Sequence, residues 1–141
     1  MYSNDREVYR QTFINAWCKY QQQILLEPFE AEIIDVILSH PDYQLLLNSL
    51  SRGQQQEYTL EENPFLHMSL HLAIREQVKT NRPFGIKDLY QTLNAMPEKF
   101  MNAHEVEHAM MACLGKMIWA AQQNGIMPQE AAYLAELEGL K

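Results

Sequence analysis

Prolines punctuate this chain at spacings that suit helices, and they constrain its fold more than any other feature. Pro28, Pro41, Pro64, Pro83 and Pro128 divide the sequence, and a helix tolerates proline in its first turn but not in its interior. Between these breaks apolar residues recur every three or four positions. Val, Ile and Thr nowhere alternate strictly with polar residues, as a half-buried strand would require. The expected fold class is all-α.

Ser3 or Asn4 can cap a first helix reaching about Gln22, in which Val8, Phe13, Ile14, Trp17 and Cys18 recur at helical spacing. Pro28 suits the first turn of a second helix, with Phe29, Ile33, Val36 and Ile37 on one face, ending before Pro41. A short third helix covers Asp42 to Leu50. Asn63-Pro64 supplies a cap followed by first-position proline, starting a helix to about Lys79. The Pro83-Phe84-Gly85 break precedes a helix from Ile86 to Ala95.

Asn102 with Glu105 three residues on resembles a capping box, and the helix it begins should run to Asn124 before Gly125 closes it. Pro128 opens a last helix carrying Ala131, Leu134 and Leu137. No internal repeat or heptad series is present. These segments suit one compact domain over residues 1–141, a bundle of about six helices. Ser51 to Glu57 is the least apolar stretch and contains glycine, so residues 51–60 are expected to form an exposed, mobile loop.

With 47% of its 141 residues hydrophobic, the chain can bury a core without disulfides. Cys18 and Cys113 lie in apolar, helix-patterned stretches and read as buried free thiols. Trp17 and Trp119 read as core anchors, and Met110, Met111 and Met117 as adaptable core filling. The polar start from Met1 to Arg6 resembles no signal peptide, and no run of eighteen apolar residues occurs, so a cytoplasmic location without a membrane span is expected. A net charge of −7 with no cluster of Lys and Arg argues against nucleic acid and anionic membranes as partners.

The chemical lead is histidine. His67 with His71, and His104 with His108, are each spaced i and i+4, which places two imidazoles on one helix face with Cβ atoms roughly 6 Å apart. Two such helices could offer four nitrogens, or three and a carboxylate, to a transition metal such as zinc or iron. On the helical wheel His67 and His71 share an arc with Ile74 and Val78, whereas Glu76 points away. Glu107 falls toward the apolar arc of its helix and is the candidate carboxylate ligand; Glu105 points to the opposite side. His40, just before Pro41, reads as a structural residue at a helix C-terminus.

Residues 104–108 also match His-Glu-x-x-His literally, with Glu105 in the general-base position. A zinc hydrolase of that kind would further need a third ligand and a substrate groove beside a strand, which an acidic, strandless chain does not offer. Glu-x-x-His occurs once, whereas di-iron bundles use it twice. No phosphate-cradling loop, Gly-x-Ser-x-Gly elbow or Cys-x-x-Cys unit is present.

The stretch from Asn63 to Gln77, containing Pro64-Phe65-Leu66-His67 and Leu70-His71-Leu72, resembles a small family called domain of unknown function 1841. Asp35 to Tyr43, Glu107 to Trp119 and Glu130 to Leu134 resemble its other characteristic segments, so the likeness covers nearly the whole chain. It implies a bacterial source and one family-wide domain, and it transfers no reaction, cofactor or partner.

Two functions follow as expectations. One is a small helical protein whose His67, His71, His104 and His108, with Glu107, bind a transition metal, in a structural or catalytic role. The other is a non-enzymatic adaptor that docks a partner protein or a second copy of itself through an apolar helical surface, its histidines serving only in the core. No reaction is assigned.

Overall fold

In the computed structural model, residues 2–51 and 63–141 are described, with side chains from Arg10 onward in the first helix. Seven helices form among them, and no strand: α1 (Tyr2–Gln21), α2 (Pro28–Leu38), α3 (Pro41–Ser51), α4 (Pro64–Thr80), α5 (Ile86–Asn94), α6 (Ala103–Asn124) and α7 (Glu130–Glu138). Among the described residues the fold is all-α, and the seven helices fall on the seven helical segments read from the sequence, close to the expected total of about six. Most of the expected loop, residues 52–60, lies outside the described residues. The residues group into two compact units, Met1–Leu72 and Ala73–Lys141, and the division falls within α4.

The helix boundaries follow from local chemistry. Three helices, α2, α3 and α4, open with proline at the first position, where the missing N–H would have had no intrahelical acceptor. Asn63 Oδ1 accepts from the backbone N–H of Phe65 at 2.9 Å, capping α4 as its sequence predicts. Glu27 precedes α2, and Glu30 reaches back to its N–H at 3.0 Å. Asn102 caps α6 through the N–H of Glu105, while the Glu105 carboxylate accepts from the N–H of Met101 at 2.8 Å. At the other end, Gly125 takes φ 63°, and the Ile126 N–H closes onto the Ala121 carbonyl.

Two boundaries differ from the sequence reading. α1 begins at Tyr2, so Ser3 and Asn4 lie inside it rather than capping it. α7 begins at Glu130 with Gln129 before it, two residues after Pro128.

In the first unit, α1, α2 and α3 pack on one another around Phe13, Ala16, Trp17, Ile33, Ile34, Val36, Ile37 and Leu47, joined by Phe65 and Met68 from the start of α4. Trp17 is buried as an anchor, and its indole N–H donates to Asn48 Oδ1 at 2.8 Å, which satisfies its polar edge. Phe29 departs from its expected inward face. It is 56% exposed because it sits in the opening turn of α2, ahead of the buried stripe that starts at Ile33.

In the second unit, α5, α6 and α7 contact one another, and Ile86, Leu89, Leu93, Val106, Met110, Leu114, Tyr133 and Leu137 are buried. Tyr133 donates to Gln77 Oε1 at 2.6 Å, tying α7 to α4. Asn81, at φ 52°, ends α4, and its Oδ1 accepts from the N–H groups of both Gly85 and Lys87 at 3.1 Å. Trp119 is not a core anchor: it is 62% exposed, since the buried face of α6 runs through Met110, Cys113, Leu114 and Ala121.

Candidate metal centre

The imidazoles of the first unit gather where α2 hands over to α3. His40 is the residue between them. Its N–H donates to the Ile37 carbonyl, and its own carbonyl accepts from the Tyr43 N–H, so its backbone is tied to both helices. Its ring nitrogen Nδ1 lies 2.8 Å from the Val36 carbonyl oxygen. Pro41 follows His40 as the first residue of α3.

His67 and His71 stand one turn apart on α4 with ring centroids 4.9 Å apart. The His40 ring meets both edge-on, at 5.0 Å from His67 and 4.9 Å from His71. Tyr43 stacks on His40 at 4.8 Å and 11°, and reaches His67 at 5.9 Å. His71 is completely buried. Three imidazoles and a phenol thus pack as one cluster within the unit. Burial pushes the Tyr43 hydroxyl above its ordinary pKa of 10.0, with a further rise from the Asp42 charge, so the phenol stays protonated at neutral pH.

In the second unit His104 and His108 lie on the first turns of α6 with ring centroids 4.2 Å apart, closer than the pair on α4. Glu107 is buried as its wheel position predicts. Its carboxylate accepts from Arg75 Nε at 3.2 and 3.3 Å, an ion pair between α6 and α4. Glu105, the general-base position of the His-Glu-x-x-His match, is exposed and caps the helix through Met101. The motif therefore serves helix initiation, and the carboxylate is not held toward the histidines as a hydrolase would need.

Each expected pair is thus brought together on its own helix. The residue that sequence reasoning set aside is His40. Its helix-terminal contact with Val36 is present as expected, but the ring also joins His67 and His71.

A second feature lies between α6 and α7. A cavity of about 240 Å³ is walled by Cys113, Met117, Ala121, Ala132 and Tyr133 and edged by Met127. Burial raises the Cys113 thiol above its ordinary 9.0, and the Glu136 carboxylate adds to the rise, partly offset by Lys116. The thiol is therefore protonated and unreactive at neutral pH. Lys116 and Glu136 pair at 2.9 Å on the exposed side. Cys18 is free and only half-buried.

Helices throughout, capped in the ordinary ways, and an imidazole cluster at a helix junction define a small α-helical protein with a candidate metal-binding centre. No helix among the described residues is long and apolar enough to cross a membrane. A family model described as domain of unknown function (DUF1841) matches residues 5–139, and the chain belongs to that family. Comparisons with curated proteins and with solved structures found no match.

Proposed function

We propose that this protein binds a transition-metal ion through imidazoles, with His40 and His71 of the first unit as ligands. The observation that carries the reading is the buried contact between His40 and His71, with ring centroids 4.9 Å apart and His71 shut off from solvent. Clustered neutral imidazoles each bring a lone pair into a low-dielectric site, and a metal ion satisfies several lone pairs at once. The second i, i+4 pair, His104 with His108, supports the same chemistry. Glu107, which is engaged by Arg75, is left outside the ligand set.

An all-nitrogen donor set suits zinc, iron, copper or nickel and is unsuited to calcium or magnesium, which take oxygen ligands. Zinc or iron is the expected ion. A closed coordination shell would make the role structural; an open coordination position would instead allow the ion to activate water or dioxygen. The net charge of −7 favours a cation over nucleic acid as the partner.

The test is elemental analysis and native mass spectrometry of tag-free protein, before and after chelator and after reconstitution with zinc or iron. Metal uptake that His71→Ala abolishes or strongly weakens is expected. Uptake undiminished in His71→Ala, or no uptake at all, would overturn the reading.

The adaptor reading is favoured by a different observation. Trp119, Met127 and Ile126 are 62%, 78% and 52% exposed on or just beyond α6, and Met127 edges the apolar cavity there. A Trp119→Ala variant that leaves stability intact and abolishes self-association measured by ultracentrifugation would support it.

A further inference from the structure

Two neighbours of the His40 ring determine which of its nitrogens can meet a metal. Nδ1 is 2.8 Å from the Val36 carbonyl oxygen. A carbonyl oxygen can only accept, so Nδ1 carries the proton, and the neutral ring keeps its lone pair on Nε2. That Nε2 is buried. The Tyr43 ring lies against the flat face of His40, at 4.8 Å and 11°. The stack is anchored from below, because the Tyr43 N–H donates to the His40 carbonyl in the first turn of α3 at 2.9 Å. One side of the ring is thus fixed by a hydrogen bond from α2 and one face by a stack from α3.

We propose that Tyr43 is a positioning residue: with the Val36 carbonyl it locks His40 in the Nδ1–H tautomer, so that Nε2 is the ligating atom. This rests on the metal-binding reading above. Groups that orient a ligating histidine without touching the ion typically change metal affinity about 10- to 100-fold when removed. A flat ring is what the stack requires. The Tyr43 hydroxyl is not, so phenylalanine should replace it.

The experiment titrates tag-free wild type, Tyr43→Phe and Tyr43→Leu with zinc against a chromophoric chelator. Circular dichroism checks that each variant is folded. Leucine keeps most of the apolar volume that Tyr43 packs against the first unit's core, so it changes the stack with little loss of packing. In parallel, long-range ¹H–¹⁵N spectra of the zinc-free proteins read the tautomer of His40. Expected are equal affinity, within about twofold, for wild type and Tyr43→Phe, and a roughly tenfold loss for Tyr43→Leu at unchanged stoichiometry. The Nδ1–H signature should persist in Tyr43→Phe and weaken in Tyr43→Leu. No zinc uptake by wild type overturns the metal reading and Tyr43's part in it together. Uptake by wild type that is undiminished in Tyr43→Leu, or a wild-type His40 protonated on Nε2, overturns the Tyr43 proposal alone.

Discussion

Arg75 Nε sits 3.2 Å from Glu107 Oε1 and 3.3 Å from Oε2, spanning α4 and α6 with the carboxylate side chain only 7% exposed and the guanidinium 24%. Removing one member of a buried pair strands the other charge, which costs more than the pair itself contributes. Arg75→Met should therefore lower stability by about 2 kcal/mol, less than for a fully buried pair because Arg75 keeps some water. The double variant Arg75→Met with Glu107→Leu should recover at least half of that loss. Urea unfolding measures both, and a double variant no better than the single would refute the argument.

The two tryptophans should behave oppositely. Trp17 is buried and hydrogen-bonded to Asn48, so Trp17→Ala should cost about 3 to 4 kcal/mol. Trp119 is largely exposed, and Trp119→Ala should change stability by less than about 0.5 kcal/mol. Comparable losses at the two positions would contradict the burial described for α6.

Alkaline pH should destabilise the second unit. Burial holds Tyr133 and Cys113 above their ordinary values of 10.0 and 9.0; nearby negative charge adds to both, and the Gln77 hydrogen bond partly opposes the rise at Tyr133. The folded chain therefore favours their protonated forms. The associated stability is fully present below those ordinary values and falls as pH climbs beyond them. Tyr133→Phe should cost about 1 kcal/mol at neutral pH through the lost hydrogen bond to Gln77, and it should flatten the decline above pH 10. Melting temperatures from pH 7 to 11 for wild type and Tyr133→Phe provide the comparison; parallel curves would be the adverse result.

Metal binding should be proton-linked. Protons and metal compete for the same imidazole lone pairs, so zinc should raise the melting temperature at pH 7.5 and do so far less at pH 5. Zinc at about a hundred times its dissociation constant adds about 2.7 kcal/mol to stability. Calorimetric scans with and without zinc at the two pH values read the effect directly. A gain of equal size at both would exclude imidazole ligation.

Much of the helical order was legible because its signals are local. Asn63 with Pro64, Asn102 with Glu105, and Gly125 each determine a boundary through atoms only a few residues apart. Facing was less legible. Phe29 and Trp119 carry apolar periodicity yet point to solvent, since a wheel records which residues share a side and not whether a neighbouring helix covers it. The i, i+4 histidine pairs could be read from spacing alone. The meeting of His40 with His67 and His71 could not, because it depends on the angle between α2 and α3, fixed by packing among residues distant in sequence.

Asn81 illustrates how little chemistry some of these junctions specify. One oxygen receives two backbone N–H groups, from Gly85 and Lys87, at a residue whose backbone is left-handed. Only that acceptor and a tolerance for positive φ are needed, and aspartate offers both as well as asparagine does. An Asn81→Asp substitution would add a negative charge beside the opening turn of α5, a position where a helix favours one. The joint is thus forgiving of that exchange, whereas an alanine at the same place would strip both amides of their acceptor.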